Sequence, residues 1–336
     1  MTSVIEATGL TKWYGKRRGV LDLDFAVEEG EVFGFLGPNG AGKTTTIRLL
    51  LGLLRPSAGS ATVLGHDAWT DGAAAHVRLS YVSSDPGYLG ELTAREQLDY
   101  MASLRGLPRG AWRPAAERLE LDPTIPIKKL SRGNRQKVAV VQAFMGDEPL
   151  LVMDEPTSGL DPLMQREFLK LVAESHAAGR TMFLSSHNLP EVERACDRVG
   201  IIREGKLVSI STVSDLQASH WRSVNLVLAA PPTPGLFDLP DVRVVSAEAR
   251  DVHLMVRGDV NPLLRRLASI DIRDVSIATL EIEDVFLGYY EGTNGREPKS
   301  GSDAGATAAA AGGGSAAAAA PDRATARPAS TKEVAR

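Results

Sequence analysis

The sequence predicts an α/β fold built on a largely parallel sheet, and three observations carry that expectation. From Met1 to about Ser219, short β-rich runs alternate with helical patterns, the order that sets parallel strands beside crossover helices. "EVFGFLGPNGAGKTTTIRLLLGLL" reads as a strand from Glu31 to Leu36, a glycine-rich turn, and a helix with Ile47, Leu50, Leu51 and Leu54 on one face. "PLLVMDEP" places the apolar run Leu150 to Met153 ahead of an acid, the pattern of a buried strand that delivers Asp154 to its end.

At 336 residues the chain has room for one large domain and a smaller one. Hydrophobic content of 43% and charged content of 24% are ordinary for a globular protein. A net charge of -4 argues against general nucleic-acid binding, which needs a basic footprint. The single cysteine, Cys196, excludes an internal disulfide and a cysteine-based zinc site. One helical turn after Val192, it reads as a core-facing helix residue rather than a reactive thiol. The start, "MTSVIEATGLTKWYGKRR", lacks the apolar stretch of a signal peptide, and no apolar run approaches the ~20 residues that span a bilayer. The expectation is a soluble, cytoplasmic chain.

The first domain is expected over residues 1–219. Within it, "LTAREQLDYMASLRG" carries a capping box, Thr93 with Glu96, followed by Leu98, Met101 and Ala102 at i, i+3, i+4 spacing. That puts a helical insertion ahead of Leu130. Residues 220–291 read as a small α/β accessory domain. Its parts are the strand "RSVNLVLAA", the Pro-rich connection "PPTPGLFDLP", the strands "VRVVSAE" and "VHLMVRG", a helix in "NPLLRRLASI", and the apolar "EIEDVFLGYY". Residues 292–336 hold Gly, Ala, Ser and Pro with scattered charge, and are expected to be a disordered tail because so little apolar area cannot offset the ordering entropy. A transient helix around Ala316 is the most that segment supports.

The glycine-rich turn meets the pattern G-x-x-x-x-G-K-S/T, with Gly37, Gly40, Gly42, Lys43 and Thr44 in place. Glycines let backbone N–H groups turn inward around phosphates. Lys43 supplies charge to the β- and γ-phosphates, and the Thr44 hydroxyl can ligate Mg²⁺. An ordinary Gly-rich turn is the bland alternative, and the strand and helix on its flanks disfavour it. Asp154 can hold the hydration shell of the metal, and Glu155 can orient or deprotonate a water that attacks the γ-phosphate. Without the turn, the two would read as solvated acids at a strand end. A second anion-suited feature stands in "KKLSRGNRQKVAVVQAF", where Ser131 and Gly133 open a helix whose free N–H groups and dipole favour negative charge. One nucleotide pocket gives that second grip nothing to hold.

Taken in order, the phosphate loop, "LSRGN", "LLVMDE", "SGLD" and "SSH" resemble the nucleotide-binding subunit of an ABC transporter, over Val4 to about Thr212. The resemblance implies a P-loop NTPase cassette with a mainly parallel core sheet, an antiparallel β subdomain and a helical subdomain. It implies that ATP and Mg²⁺ are bound by Gly37, Pro38, Asn39, Gly40, Ala41, Gly42, Lys43, Thr44 and Thr45, with Tyr14 stacked on adenine and Asp154 at the metal. Glu155, His187 and Lys43 are then the catalytic groups, with His187 on the γ-phosphate. A second cassette subunit is implied as well, most simply a homodimer, packed head to tail so that Ser131 and Gly133 grip the γ-phosphate held by the partner. Asp161 then communicates across the dimer. The second grip needs a second molecule. Alone, Tyr14 reads as a surface tyrosine, Asp161 as the N-cap before Pro162, and His187 as a capping residue at a strand end.

An integral membrane permease is the further partner implied, which would hold the chain at the inner face of the membrane. The region after Thr212 resembles the accessory region on ATPases of drug and antibiotic exporters, and its ending, "LEIEDVFLGYYEG", also reads as an ordinary amphipathic helix. Two departures stand out. Arg132 and Asn134 replace a Gly and a Gln of the family's usual signature, while Ser131 and Gly133 are kept. Ser84 stands where the family has a Gln, or sometimes a Glu, that reaches Mg²⁺; a serine is shorter, so Asp85 or a bridging water is the alternative there. The competing function is a soluble ABC ATPase acting on ribosomes or nucleic acid. Such members carry two cassettes, a long coiled coil or zinc cysteines, and this chain has one phosphate loop and a short interval from Lys43 to Ser131. A non-catalytic ATP sensor would have lost Glu155 or His187.

Overall fold

The computed structural model describes residues 2–219 and 221–279, so "EIEDVFLGYY" and the 292–336 tail with Ala316 lie outside the described residues. Strands β1 (Ser3–Tyr14) and β2 (Arg17–Glu28) pair antiparallel and bury alternate residues, as half-covered strands do. The chain then enters β3 (Val32–Leu36), every residue of which is buried, and turns into α1 (Lys43–Leu50). It returns to the first sheet through β4 (Ala58–Val63) and β5 (His66–Asp67), giving the order β2-β1-β4-β5.

After α2 (Gly72–His76), β6 (Leu79–Val82) joins the core sheet. The helical insertion follows as α3 (Ala94–Leu104), α4 (Arg113–Arg118) and a 3-10 turn at Ile127–Lys129, then α5 (Arg132–Phe144). The Thr93–Glu96 capping box forms in full, and Leu98 and Ala102 are buried while Met101 packs from the edge of the core. The core sheet is completed by β7 (Leu150–Asp154), α6 (Pro162–Ala177), β8 (Thr181–Ser186), α7 (Leu189–Ala195), β9 (Arg198–Arg203) and β10 (Lys206–Thr212). Its order is β10-β9-β3-β8-β7-β6, parallel from β9 through β6, with β10 antiparallel at the edge.

The fold is thus the mainly parallel core sheet with an antiparallel sheet and a helical layer. Phe25 of the antiparallel sheet meets Phe33, Phe35 and Phe183 of the core sheet with ring centroids 5.7 to 6.0 Å apart. Such pairs add about 0.5–1.5 kcal/mol each beyond area burial, so they fix the face-to-face packing of the two sheets. Cys196 caps α7 in extended backbone, one residue past the helix rather than within it. A Cβ on Gly34 would come within 3.0 Å of its Sγ and 2.7 Å of Val192 Cγ1, so the glycine is what lets α7 pack this close to β3. Burial pushes the Cys196 thiol well above its usual range, the opposite of a reactive cysteine.

After α8 (Val213–Ser219), a separate four-stranded antiparallel sheet forms from β11 (Trp221–Leu228), β12 (Val242–Glu248), β13 (Asp251–Arg257) and β14 (Ile272–Thr279), in the order β12-β13-β11-β14. Helix α9 (Asn261–Leu267) adds Leu263 and Leu267 to a small core with Val224, Leu226, Leu254 and Val256. Among the described residues, no helix is long and apolar enough to cross a membrane.

Candidate active site

The glycine-rich turn takes its shape from three close constraints. A Cβ on Gly37 would lie 2.3 Å from the Ile202 carbonyl oxygen, which closes that position to any other residue. Gly42 takes φ of +114°, where side chains are strained, and caps α1 without a side-chain hydrogen bond. Ala41 is pinned by its N–H on the Pro38 carbonyl, 3.1 Å, and by its own carbonyl on the Gly205 N–H, 2.8 Å, while Asn39 and Gly40 stand exposed. The N–H groups of Lys43, Thr44 and Thr45, in the first turn of α1, have no intrahelical acceptor and suit an anion. Lys43 is buried, with Nζ donating to the carbonyl oxygens of Gly37 at 2.5 Å and Pro38 at 3.2 Å. The same nitrogen lies 3.1 Å from Glu155 Oε1.

The acids arrive from the end of β7. Asp154 is fully buried and accepts from three hydroxyls: Thr44 Oγ1 at 2.8 Å and Ser84 Oγ at 3.0 Å on Oδ2, and Ser185 Oγ at 2.7 Å on Oδ1. Two hydroxyls and a carboxylate meeting at one oxygen form the hard, all-oxygen donor set that suits Mg²⁺. The residues present fit that ion. Ser84, not Asp85, makes the contact with Asp154; the Asp85 N–H bonds Ser83 Oγ instead. Glu155 takes φ of +49°, an uncommon conformation for a side-chain-bearing residue, at a cost of about 1–2 kcal/mol. Its N–H offsets part of that by donating to Ser185 Oγ at 3.1 Å and the Ser185 carbonyl at 3.2 Å. In this pose Glu155 Oε2 sits 2.7 Å from His187 Nδ1.

Lys43, Thr44, Ser84, Asp154, Glu155 and His187 therefore form one cluster at the ends of parallel strands, where open α/β sheets bind ligands. Tyr14 stands at its edge, its ring exposed and its hydroxyl 3.4 Å from Thr45 Oγ1. Among the described residues, no hydrogen bond or ion pair joins Ser131, Gly133 or Asp161 to this cluster. Ser131 caps α5 by accepting from the Asn134 N–H, and Asp161 caps α6 by accepting from the Leu163 and Met164 N–H groups. The start of α5 is instead fixed to the loop after Glu155. A Cβ on Gly133 would lie 2.3 Å from the Gly159 carbonyl oxygen, Arg132 Nη2 donates to Ser158 Oγ at 3.1 Å, and buried Gln136 Nε2 donates to the Pro156 carbonyl at 3.1 Å. Tyr88 Oη donates to the Arg135 carbonyl at 2.6 Å, tying the Ser84 segment to the same helix.

In "SSH" the sequence points to His187, and the structure adds both serines. Ser185 holds Asp154 and the Glu155 N–H, and Ser186 Oγ donates to buried Glu191 Oε2 at 2.5 Å. The signal was present: neighbouring strand residues point to opposite faces, so two adjacent serines at the end of β8 serve two different acids.

The family model described as ABC transporter matches residues 20–158. The bacitracin transport ATP-binding protein BcrA of Bacillus licheniformis is 34% identical over 299 residues, covering 85% of this chain and 97% of that protein. The linearmycin resistance ATP-binding protein LnrL of Bacillus subtilis is 36% identical over 219 residues, 63% of this chain and 70% of that protein. Among solved structures, one described as the ATP binding subunit of an ABC transporter matches with a TM-score of 0.59 and 31% identity, over 64% of this chain and 92% of that one.

Proposed function

This chain belongs to the ABC transporter family of ATP-binding proteins, and from that premise we propose that it powers a separate membrane permease that exports antibiotics, drugs or other hydrophobic compounds. It is the ATP-hydrolysing subunit. The bacitracin and linearmycin names of its relatives support export over a ribosomal or nucleic-acid role. We place it at the inner membrane face, held there by the permease.

The observation that carries the site reading is the sharing of one carboxylate: Glu155 Oε1 faces Lys43 Nζ at 3.1 Å and Oε2 faces His187 Nδ1 at 2.7 Å. ATP brings phosphate oxygens to the first turn of α1, and Lys43 leaves Glu155 and its loop carbonyls for them. A hydrogen bond to a charged group is worth about 1.5–3 kcal/mol, and the phosphate offers a denser negative charge than the single carboxylate it replaces. Glu155 Oε1 is then freed to accept a proton from water, while His187 keeps Oε2 in place. Thr44, Ser84 and Asp154 would hold Mg²⁺, which supplies charge neutralisation at the β- and γ-phosphates when bound. Tyr14 offers its exposed ring to adenine. Because no bond among the described residues joins Ser131, Gly133 or Asp161 to the cluster, we assign them to the site of a second copy of the chain, closed by ATP between the two.

Mixed mutants test the shared site. Ser131→Arg chains and Lys43→Ala chains are each expected to be inactive alone, and a heterodimer of the two retains one intact loop facing one intact signature. Partial ATPase activity in the mixture is the expected result. Silence in mixtures whose heterodimer content has been measured would rule out the shared site.

A further inference from the structure

We infer that Glu191 is a positioning residue that clamps the turn carrying His187 and so sets the imidazole on Glu155; the inference rests on the site reading above. Glu191 lies in the first turn of α7 and is only 8% exposed. Its Oε2 accepts from Ser186 Oγ at 2.5 Å, and the same Ser186 oxygen accepts from the Asn188 N–H at 2.9 Å. Asn188 Oδ1 in turn accepts from the Glu191 N–H at 3.3 Å and caps the helix. His187 is the residue enclosed by this ring of bonds, with no fixed partner of its own beyond Glu155 among the bonds described. The Thr157 hydroxyl, on the loop that starts at Glu155 and leads to Asp161, lies near enough to lower the Glu191 pKa. The bonds that Glu191 makes thus fall on both sides of His187, at Ser186 and Asn188.

The cost of the arrangement argues for its use. A carboxyl group buried without a bonded cation is expensive, and Glu191 Oε1 has no hydrogen-bond partner. Burial pushes the Glu191 pKa up, with the Ser186 and Thr157 hydroxyls pulling against it; the ionisable groups that face it are Glu155, His187 and Cys196. An apolar residue would fill the space and leave Ser186 and the turn without an anchor. Fold stability alone does not ask for an acid here.

Steady-state kinetics with a double-mutant cycle tests the inference. Misplacing a catalytic group by about 1 Å can cost ~10²-fold, and a loss of about 10–100-fold in kcat is expected for Glu191→Ala, with KM for ATP little changed because the Lys43 loop is untouched. Glu191→Gln keeps an oxygen for Ser186 and is expected to restore most of the rate. Ser186→Ala cuts the same link from the other end and is expected to reproduce the kcat loss, which covers the case in which Glu191→Ala folds poorly. On a His187→Ala background, Glu191→Ala is expected to cost little more, since residues acting through one another are non-additive. Additive losses, or full turnover of both Glu191→Ala and Ser186→Ala, would overturn the inference while leaving the site reading intact. Full turnover of His187→Ala alone would overturn the site reading itself.

Discussion

His187 Nδ1 lies 2.7 Å from Glu155 Oε2, across the ends of two neighbouring parallel strands. The contact exists because Asp154 pairs with Ser185 in register, so Glu155 leaves β7 beside the last residue of β8, Ser186, which His187 follows. Glu155 then turns back through φ of +49°, which aims its other oxygen at Lys43. The backbone conformation, and not the strand register alone, makes the carboxylate common to both.

Glu155→Gln is expected to separate binding from hydrolysis. The amide keeps the shape and a hydrogen bond toward His187 but cannot take a proton, and loss of a general base costs about 10²–10⁴-fold in rate. ATP affinity should hold or rise, because Lys43 no longer has an anionic competitor 3.1 Å away. Titration with a fluorescent ATP analogue beside a phosphate-release assay measures both. Near-normal turnover would remove Glu155 from the role of base.

Gly133→Ala is expected to abolish ATP-dependent dimerisation while sparing ATP binding by the monomer. The added Cβ would stand 2.3 Å from the Gly159 carbonyl, so either the start of α5 or the loop must move. Neither Gly133 nor Gly159 is bonded to Lys43, Thr44 or Asp154 among the described residues. Sedimentation with and without ATP in a hydrolysis-deficient background gives the readout, and dimers of normal strength would show that the face tolerates the shift.

How much of this was legible beforehand depended on the period of each element. Buried strands such as β7 and the amphipathic α3 announced themselves, because their apolar spacing matches one repeat along their length. Strand β14 did not. A register shift opposite Val227 and Leu228 breaks its alternation, so Ile272, Val275 and Ile277 fall at unequal spacing. In the site, the charged and glycine positions were readable because each must have its own chemistry. The shared use of Glu155 by Lys43 and His187 was not, since it follows from a left-handed backbone angle at a glutamate. Ser84 reaching Asp154 was equally hidden, because side-chain length set against a generic pattern says nothing of where the loop backbone lies.

Acid should weaken the helical layer through Asp99. Burial alone would raise its pKa, but the Trp112 indole N–H, the Arg109 guanidinium and the Gly110 N–H outweigh that and hold it below the usual carboxylate range. A depressed folded pKa gives stability that is present above the unfolded value near ~3.9 and lost as pH falls through the folded one. Asp99→Asn should therefore lower stability at pH 7 by about 1 kcal/mol, and the gap to wild type should close as the pH drops below ~4. Urea unfolding at several pH values measures the gap, and a difference independent of pH would assign the Asp99 effect to shape instead of charge.

The metal-side prediction turns on Ser84. Its hydroxyl is 3.0 Å from Asp154 Oδ2, the oxygen that Thr44 also reaches at 2.8 Å, so it helps to orient the lone pairs a dication would use. Asp85 has no such contact; its N–H goes to Ser83 and its side chain is exposed. Ser84→Ala removes one hydrogen bond of about 1 kcal/mol, which corresponds to a roughly fivefold higher Mg²⁺ concentration for half-maximal effect. Asp85→Ala is expected to leave that midpoint alone. Ser84→Gln extends an oxygen toward the ion position and should lower the Mg²⁺ requirement, as an added oxygen ligand does for a hard cation. Two readouts are needed, the Mg²⁺ dependence of fluorescent-nucleotide binding and that of hydrolysis, because a rate alone would mix metal affinity with loop motion. If Asp85→Ala shifts both midpoints while Ser84→Ala shifts neither, the metal contact belongs to Asp85 and the loop must rearrange when nucleotide binds.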